Sequence, residues 1–452
     1  MTVYHIKAPH TLNVAINLPA SKSISNRALI INALCKFPKP IGNLSDCDDT
    51  NVVIKALNER KGIIDAGAAG TAMRFLTAYF AGQQGDYIIT GTERMKNRPV
   101  RLLVDALRTL GAQIDYLEKE GFPPLRIVGQ TLKGGDIEID GSISSQYISA
   151  LLMTAPAMTC GLRLHLVGRI ASTPYIDMTI RLMRQFGVTV RREGHTFVVP
   201  PQQYVSIDNF KVEPDWSAAS YWYEMVALCS DRDASVTLYG LHPDSLQGDA
   251  KIVSLFDMLG VRTIFTADGI KLSKKQQTSD GFFQFDFNAI PDMAQTVAVT
   301  CVMLQIPFRF TGLQSLKIKE TDRLSALRTE LSKLGFPLEI HDDNTLERTY
   351  DDISQSIHCD DFNKTQSGNR INQFITTYDD HRMAMAFAPV SLCSRNGVSI
   401  AHPEVVSKSY PLFWDDLRKA NFLISCYCEG KYKAGENGGF PEQFQVDVVT
   451  DS

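Results

Sequence analysis

The stretch "LMRQFGVTVRREGHTFVVP" at residues 182–200 combines a helix end, a glycine stop and a β-hairpin. The helix ends at Phe186, and Gly187 supplies the residue that helix C-termini favour, because glycine tolerates a left-handed backbone. The residues that follow alternate in polarity, and Glu193-Gly194 is a signal for a hairpin turn. The stretch therefore predicts a helix followed by two paired strands.

The same order recurs elsewhere in the chain, in "ALRTLGAQIDYL" at 106–117, "LFDMLGVRTIFT" at 255–266 and "LSKLGFPLEIHD" at 331–342. The four glycines are Gly111, Gly187, Gly260 and Gly335, and they are spaced 76, 73 and 75 residues apart. A nearly fixed period indicates repeated supersecondary units. Each copy has room for a second helix, such as 145–158 or 292–305, so the predicted unit is βαβαββ.

The repeat continues in both directions with changes of length. The helix in "NVVIKALNERKG" ends at Gly62, only 49 residues before Gly111, so the first unit is expected to lack a hairpin between Asn58 and Asp65. A predicted helix at 413–422 closes a sixth unit after an insertion. We therefore predict an α/β fold of α+β type, with two similar domains of repeated βαβαββ units, a truncated first unit and a ligand cleft between the domains.

The domain boundaries follow from a break in the pattern. A proline and a polar turn interrupt the repeat in "NFKVEPDWSAAS" at 209–220. We place one domain at residues 18–213 and the other at residues 1–17 and 214–423. Residues 424–452 lose periodicity and gain glycine and charge, which predicts a flexible polar tail.

Composition excludes several classes of protein. The chain has 452 residues, 44% hydrophobic and 21% charged, with a formal net charge of -4, which argues against general affinity for nucleic acid or an anionic membrane. Its nine cysteines show no CxxC pair, and no partner at zinc spacing accompanies Cys426 and Cys428. The N-terminus lacks an apolar signal core, and no run reaches the ~18 apolar residues of a membrane span. We expect a cytosolic protein with reduced thiols.

Polar and cationic residues stand at several predicted helix starts. The three stretches of this kind are "LPASKSISNRAL" with Lys22, Ser23 and Arg27, "DAGAAGTAMRFL" with Gly67, Gly70 and Thr71, and "GSISSQYISALLM" with Ser144, Ser145 and Gln146. Helix N-termini present unpaired N–H groups that suit phosphate and carboxylate. Singly, each is explained by an ordinary N-cap or a solvated charge. Their recurrence in three of the six units favours anion binding.

Charged residues of both signs stand at further helix starts. In "KETDR" at 319–323, a helix is predicted to begin near Thr321. Two cations lie where the dipole of this helix disfavours them, and a pair of Glu320 with Arg323 is the simplest structural explanation. Asp292 after Pro291 is either an N-cap or an isolated acid, and His381 in "YDDHRMAMAF" is either structural or functional. Converging cations would hold a substrate with two or more negative charges, leaving the acids to move protons. The candidate cations are Lys22, Arg27, Arg98, Lys319, Arg323, Arg382 and Lys408.

These motifs together resemble the 5-enolpyruvylshikimate-3-phosphate synthase family. The resemblance covers residues 14–422 and also includes "RMKNRPVRLLVDAL", "STPYID", "IPDMAQT" and "VVSKSYPLFW". It implies an inverse α/β barrel fold of two domains, each with three βαβαββ copies. It also implies transfer of enolpyruvyl from phosphoenolpyruvate to shikimate 3-phosphate by a monomer, with no metal or organic cofactor and no nucleic-acid or membrane partner.

The resemblance assigns roles to individual residues. Those implied for shikimate 3-phosphate are Lys22, Ser23, Arg27, Ser144, Ser145, Gln146, Ser172, Tyr175, Asp292 and Lys319. Those implied for phosphoenolpyruvate are Lys22, Gly70, Arg98, Gln146, Arg323, Arg382 and Lys408. Asp292 would take the proton of the attacking hydroxyl, Glu320 would protonate the methylene carbon, and Lys22 would share these transfers. The neighbouring cations would hold Glu320 ionised until substrate arrives.

Two departures from the family pattern keep alternatives open. Ala68 stands where the family usually has asparagine, and Ser315 stands where asparagine commonly meets the phosphate of shikimate 3-phosphate. With the missing hairpin, Ala68 motivates a catalytically silent homologue as one alternative. The other is the related transferase that acts on UDP-N-acetylglucosamine, which typically carries a reactive cysteine in a mobile loop. No cysteine lies in the 89–101 loop of this chain.

Overall fold

The computed structural model describes residues 1–59, 62–142, 144–168, 170, 172–277, 281–355, 374–428 and 431–433. The helices in chain order are α1 Lys22–Ala33, α2 Asp48–Glu59, α3 Gly70–Ala81, α4 Glu93–Lys96, α5 Arg101–Thr109, α6 Ser145–Thr154, α7 Thr173–Gln185, α8 Trp216–Leu228, α9 Ile252–Met258, α10 Ala294–Met303, α11 Arg323–Lys333, α12 Tyr350–Gln355, α13 His381–Phe387 and α14 Phe413–Lys419.

The strands are β1 Thr2–Lys7, β2 Asn13–Ile16, β3 Gly62–Asp65, β4 Gly85–Thr90, β5 Gln113–Tyr116, β6 Leu125–Gly129, β7 Gly135–Asp140, β8 Leu162–Val167, β9 Arg191–Glu193, β10 Thr196–Val199, β11 Ser235–Tyr239, β12 Val261–Thr266, β13 Gly269–Lys274, β14 Phe283–Asp286, β15 Phe308–Thr311, β16 Glu339–His341, β17 Thr345–Arg348, β18 Val398–Ala401, β19 Leu423–Cys428 and β20 Lys431–Lys433. No helix among these described parts is long and apolar enough to cross a membrane.

The repeated glycines end helices in the predicted way. Gly187 has φ 84°, a left-handed backbone that side chains disfavour. Its N–H donates to the Arg184 carbonyl at 3.0 Å, and the next N–H, of Val188, donates to the Met183 carbonyl at 3.0 Å. This pair of bonds satisfies carbonyls at the end of α7 and turns the chain into the following strands.

Four of the sheets share one topology, which confirms the predicted βαβαββ repeat. Their strand orders are β3-β4-β6-β5, β7-β8-β10-β9, β2-β11-β13-β12 and β14-β15-β17-β16. In each sheet the first pair of strands is parallel and the other two pairs are antiparallel. A parallel pair needs a crossover connection, and in the β7-β8 pair α6 provides it.

The fifth sheet has the order β18-β1-β19-β20 and completes the last repeat with a strand from the other end of the chain. β1 pairs antiparallel with both β18 and β19, and Ile375 forms a parallel bridge to Ile400 on β18. The N-terminal strand β1 thus occupies the position that the fourth strand has in the other units. No local pattern in the sequence predicts that β1 pairs with β18 and β19 from the other end of the chain.

The predicted start of the tail at residue 424 is wrong. Leu423–Cys428 forms β19, in register with β1, with Ile424 partly buried against the core. The strand depends on hydrogen bonds to Thr2–Lys7, a partner far away in the sequence that no local composition reveals. Residues 429–430 and 434–452 of the predicted tail lie outside the described residues.

The shortened first repeat agrees with the observed elements. α2 ends at Glu59, and β3, the first strand of the next unit, begins at Gly62. Gly62 has φ 67°, so a glycine again marks the turn after a helix.

The chain forms two compact units, each with its own apolar core. Unit A comprises Met1–Leu18, Trp216–Pro243 and Asp249–Ser452, and unit B comprises Pro19–Asp215 and Asp244–Gly248. The return segment Asp244–Gly248 is fixed within unit B, where Glu213 accepts hydrogen bonds from the Ser245 hydroxyl and the Gln247 amide. The predicted domain boundaries, 18–213 for one domain and 1–17 with 214–423 for the other, remain a prediction.

Candidate active site

In unit B, Arg27 lies in α1 with a buried guanidinium held by neutral groups. Its Nε donates to the Thr179 hydroxyl at 2.7 Å, its Nη2 to the Ser149 hydroxyl at 3.2 Å and its Nη1 to the Ser23 carbonyl at 2.9 Å. Burial lowers the pKa of Arg27 to about 10, so the side chain stays charged at neutral pH. Because these three partners carry no negative charge, the site favours an anion.

Lys22 is the first residue of α1, the helix that also carries Arg27. Ser21 caps the helix by accepting from the Ile24 N–H at 3.5 Å, so the N-cap explanation applies to Ser21. The Lys22 ammonium lies 3.3 Å from the Asp49 carboxylate, and 17% of its side chain is exposed. This ion pair is accessible enough for the ammonium to meet a ligand.

The starts of α6 and α7 present hydroxyl and amide groups. Ser144 caps α6 by accepting from the Gln146 N–H at 3.4 Å, which confirms an N-cap there, and Ser145 is buried behind it. The Gln146 amide reaches α3 and donates to the Thr71 hydroxyl at 3.0 Å. Ser172 precedes α7 in a left-handed conformation, φ 53°, and its side chain does not cap the helix. It is therefore held in a strained backbone conformation at a helix start.

Tyr175, one turn into α7, faces the same arginine. Its ring centroid lies 5.9 Å from the central guanidinium carbon of Arg27. Arg27, Ser23 and Tyr175, predicted as one group, are thus brought together. The hydroxyls of Ser149 and Thr179 were missed, and the only signal for them is a hydroxyl within an otherwise apolar helix face.

At the start of α3, two guanidinium groups crowd Gly70. A β-carbon on this residue would lie 2.6 Å from Nη1 of Arg74 and 2.7 Å from Nη1 and Nη2 of Arg98. Arg74 also donates to the Gly70 carbonyl at 2.8 Å, and it is buried. The helix is capped by Ala69, without a side-chain hydrogen bond. No functional role was predicted for Arg74, although its spacing of four residues from Gly70 indicates the contact.

In unit A, Arg323 is the centre of a charge cluster at the start of α11. Its side chain is buried, with Nη1 2.8 Å from Asp292, Nη2 2.8 Å from Glu320 and Nε 2.6 Å from Asp380. Burial lowers the pKa of Arg323, but the three carboxylates outweigh burial and raise it above the usual value. The predicted Glu320–Arg323 pair is confirmed, as one of three contacts that fix this guanidinium.

Asp292 is surrounded by cations. Its Oδ1 lies 2.8 Å from Arg323 and 3.5 Å from Lys319, and its Oδ2 lies 3.4 Å from Arg382. Asp292 belongs to a 3-10 turn, and the N-cap of α10 is Met293. The alternative interpretation of Asp292 as the N-cap of α10 is therefore wrong.

Asp380 links two of these cations. It is fully buried, caps α13 by accepting from the Arg382 N–H at 2.9 Å, and binds Arg323 with both carboxylate oxygens. His381 beside it is also buried, with Nδ1 3.9 Å from Asp380. Asp380 lies in the "YDDHRMAMAF" motif, but no role was predicted for it. Its position just before a helix with arginine two residues later is the signal that was available.

Lys408 and Tyr221 complete the surroundings of the cluster. The Lys408 ammonium donates to the Asp379 carbonyl at 2.6 Å. Burial raises the pKa of Tyr221 on α8 to about 12, against the opposing charges of Arg382 and Arg323, so the phenol is neutral. Tyr221 was missed because "YWY" in an apolar helix has the pattern of a core.

Each unit therefore gathers its own set of predicted site residues. Lys22, Ser23, Arg27, Gly70, Arg98, Ser144, Ser145, Gln146, Ser172 and Tyr175 lie in unit B, and Asp292, Lys319, Glu320, Arg323, Arg382 and Lys408 lie in unit A. In the described parts of the chain, no group of three His, Cys, Asp or Glu side chains could hold a metal ion. The chemistry available is anion binding by cations and proton transfer by the carboxylates beside them.

Comparison with known proteins gives a consistent picture. A sequence model described as EPSP synthase (3-phosphoshikimate 1-carboxyvinyltransferase) matches residues 6–61 and 58–417. The two matched segments meet where the first repeat is shortened. A 3-phosphoshikimate 1-carboxyvinyltransferase from Bacteroides fragilis is 52% identical over 93% of this chain and 98% of the relative. One from Vibrio cholerae is 39% identical over 88% and 95%.

A solved structure extends the likeness to the fold. The EPSP synthase from Acinetobacter baumannii superposes with a TM-score of 0.72 at 19% identity, covering 95% of this chain and 100% of that one. Its likeness supports the predicted two-domain arrangement of repeated α/β units.

Proposed function

The chain belongs to the EPSP synthase family, and from this premise we propose that it transfers the enolpyruvyl group of phosphoenolpyruvate to the 5-hydroxyl of shikimate 3-phosphate. Inorganic phosphate is the second product, and the reaction serves aromatic amino acid biosynthesis through the shikimate pathway. The observation that carries the proposal is the cluster of Asp292, Glu320 and Arg323, which holds two acids next to a fixed cation.

We assign most of the ligands of shikimate 3-phosphate to the hydroxyl-rich cluster around Arg27. The proposed ligands are Lys22, Ser23, Arg27, Ser144, Ser145, Gln146, Ser172, Tyr175, Asp292 and Lys319. The charge of Arg27 is supported by neutral groups, so an arriving phosphate would not have to displace a carboxylate from it. Each charge-assisted hydrogen bond of this kind contributes about 1.5–3 kcal/mol.

We assign phosphoenolpyruvate mainly to the other cations, with Lys22 and Gln146 shared between the two substrates. The proposed ligands are Lys22, Gly70, Arg98, Gln146, Arg323, Arg382 and Lys408. The absence of a side chain on Gly70 supports this, because two guanidinium groups approach its backbone closely. Arginine binds phosphate and carboxylate through paired N–H groups, which suits a substrate that carries both.

The proton transfers fall to the two acids of the cluster, with Lys22 sharing them. The 5-hydroxyl oxygen of shikimate 3-phosphate attacks carbon 2 of phosphoenolpyruvate while Asp292 accepts the proton of that hydroxyl. Glu320 donates a proton to the methylene carbon of phosphoenolpyruvate. Loss of phosphate and of a proton from the new methyl group then restores the double bond. Since Arg323 stabilises ionised Glu320 at 2.8 Å, an anionic substrate beside Arg323 must weaken that contact before Glu320 takes up a proton.

Two other functions are less well supported by the same residues. Transfer to UDP-N-acetylglucosamine would call for a reactive cysteine in the 89–101 loop, and that loop has none. A silent homologue is motivated by Ala68, but Asp292, Glu320 and Lys22 are all present with charged partners. We infer that Ala68 and Ser315 affect affinity and leave the reaction unchanged.

We further infer that the enzyme acts in the cytoplasm as a monomer. The seven cysteines described as free thiols fit a reducing compartment, and three of them, Cys160, Cys393 and Cys426, are at least partly accessible. Size-exclusion chromatography with light scattering would test the monomer, and a dimer mass would contradict it.

The reaction is tested by incubating the purified protein with both substrates and measuring the inorganic phosphate that is released. Release should require both shikimate 3-phosphate and phosphoenolpyruvate and should stop when either is omitted. The matched variant is Asp292→Asn, which keeps the shape of the side chain and removes its charge. We expect kcat to fall by about 10²–10⁴-fold, with shikimate 3-phosphate still bound in calorimetry. Near wild-type turnover in this variant would show that Asp292 is not the base.

A further inference from the structure

Glu330 is a buried carboxylate outside the set of residues assigned to the reaction. It lies on the buried side of α11 with 0% exposure of its side chain, and both oxygens are 2.8 Å from the Lys333 ammonium. Oε1 also accepts from the Tyr378 hydroxyl at 2.6 Å, and Oε2 accepts from the Thr376 N–H at 3.2 Å. Its sequence position suggests only a surface ion pair, but its partners reach the segment before α13.

That segment contains an unusual turn. Tyr378 and Asp379 both have left-handed backbones, with φ 53° and 55°. Such conformations cost about 1–3 kcal/mol for a residue other than glycine, so the surroundings must hold them. Glu330 holds the residue two before the turn by accepting from the Thr376 N–H. It also holds Tyr378, the first strained residue of the turn, by accepting from its hydroxyl. The N–H of Asp380 closes the turn by donating to the Thr377 carbonyl at 2.9 Å.

The turn places Asp380 in contact with the charge cluster around Arg323. Asp380 follows it directly, and its carboxylate accepts from Nε of Arg323 at 2.6 Å and from the backbone N–H of Arg382 at 2.9 Å. Arg382 in turn lies 3.4 Å from Asp292. A change in the turn would therefore move Asp380, which orients Arg323 and caps the helix that carries Arg382.

We propose that Glu330 and Tyr378 are positioning residues for phosphoenolpyruvate: their hydrogen bond holds the strained 378–379 turn, which sets Asp380 against Arg323 and Arg382. The inference rests on the proposed roles of those two arginines. A carboxylate suits this task because it accepts four hydrogen bonds at once, and the partners here come from a side-chain hydroxyl, a backbone N–H and an ammonium. Neither residue touches the reacting atoms.

The test is the substitution Tyr378→Phe, which removes one hydroxyl and leaves the ring. We expect the KM for phosphoenolpyruvate to rise about tenfold with a smaller fall in kcat, because small displacements of binding groups weaken the substrate contacts. The KM for shikimate 3-phosphate should stay within about twofold, since most of its proposed ligands lie in unit B. Glu330→Gln should change the same constant in the same direction.

The matched control is Tyr223→Phe in the same unit. Tyr223 is fully buried whereas Tyr378 is partly buried, and the Tyr223 hydroxyl forms a 2.9 Å hydrogen bond with the Thr263 hydroxyl. Its loss should lower the temperature of unfolding and leave both KM values unchanged. If Tyr378→Phe has wild-type constants, or if Tyr223→Phe raises the phosphoenolpyruvate KM equally, the positioning role is wrong.

The variant Arg382→Ala tests the proposed binding of phosphoenolpyruvate by Arg382 separately from the positioning role of Glu330 and Tyr378. A large rise of the phosphoenolpyruvate KM in Arg382→Ala with no rise in Tyr378→Phe would overturn the positioning role alone. An unchanged KM in Arg382→Ala would overturn the assignment of the arginine, and with it the reason for holding Asp380 in place.

Discussion

Gly70 shows at the scale of one residue how a missing side chain makes room for charge. Replacing it with alanine puts a methyl group within 2.7 Å of the Arg98 guanidinium, closer than real contacts allow. Arginine is flexible and will move, so we expect the protein to fold normally. Loss of one aligned charge-assisted bond should raise the KM for phosphoenolpyruvate about tenfold.

A control for Gly70→Ala exists at the other end of the same helix. A methyl group on Gly82 would meet only the Tyr79 carbonyl, at an ordinary 3.6 Å. Gly82→Ala should therefore leave the KM unchanged. If Gly70→Ala also gives wild-type constants in steady-state kinetics, close backbone approach is not what this position provides.

Glu224 is a second single residue with a measurable consequence. It is fully buried in α8, and burial raises its pKa well above the usual value, with only partial compensation by Thr300. The folded state then holds a proton that the unfolded state releases. The contribution of protonated Glu224 to the free energy of unfolding is fully present below the ordinary carboxyl pKa. It is lost as the pH rises toward the raised pKa of Glu224 in the folded state.

We therefore expect Glu224→Gln to raise the unfolding temperature, and to raise it more at pH 8 than at pH 5. Thermal unfolding followed by circular dichroism at the two pH values measures this difference. A variant that is equally destabilised at both values would mean that the carboxyl has hydrogen bonds that the amide cannot replace.

At the scale of an element, α11 begins where its capping residue places it. The sequence predicts a start near Thr321, whereas the helix begins at Arg323 with Asp322 as N-cap, accepting from the Ser325 N–H at 3.2 Å. The shift matters because it leaves Lys319 and Glu320 outside the helix, where their side chains reach Asp292 and Arg323. Propensity alone does not distinguish Thr321 from Asp322 as the cap.

Removal of this cap is a test of how firmly the element holds the cluster. Asp322→Ala should lower stability by about 1 kcal/mol, and Asp322→Asn should restore most of it because the amide oxygen still accepts. Urea denaturation at fixed pH compares the two. Equal losses in both variants would indicate that the charge of Asp322, and not its capping bond, supports α11.

Helix ends and hairpins were predictable because their signals are local, and the exchanged strand was not. Gly187 stops its helix and Glu193-Gly194 turns its hairpin with residues that are adjacent in the chain. β1 completes a sheet with β18 and β19 from the opposite end of the sequence, so no window of neighbouring residues predicts it. The tail boundary was wrong for the same reason.

At the scale of the whole molecule, the family resemblance supplied the roles of site residues, and the geometry supplied their supports. The cationic helix starts were recognisable from residue type and period. The hydroxyls of Ser149 and Thr179 around Arg27, and the buried Asp380 beside Arg323, depend on packing between helices that the sequence does not specify. Supporting groups of this kind are harder to predict than the residues they hold.

Transfer of the enolpyruvyl group by this chain splits the carbon–oxygen bond of phosphoenolpyruvate and leaves the phosphate ester of shikimate 3-phosphate intact. Phosphorus NMR of a mixture of enzyme, shikimate 3-phosphate and phosphoenolpyruvate follows both phosphates at once. We expect the phosphoenolpyruvate signal to convert to inorganic phosphate while the 3-phosphate remains an ester at a shifted frequency. Inorganic phosphate formed without shikimate 3-phosphate, or released from the 3-position, would contradict it.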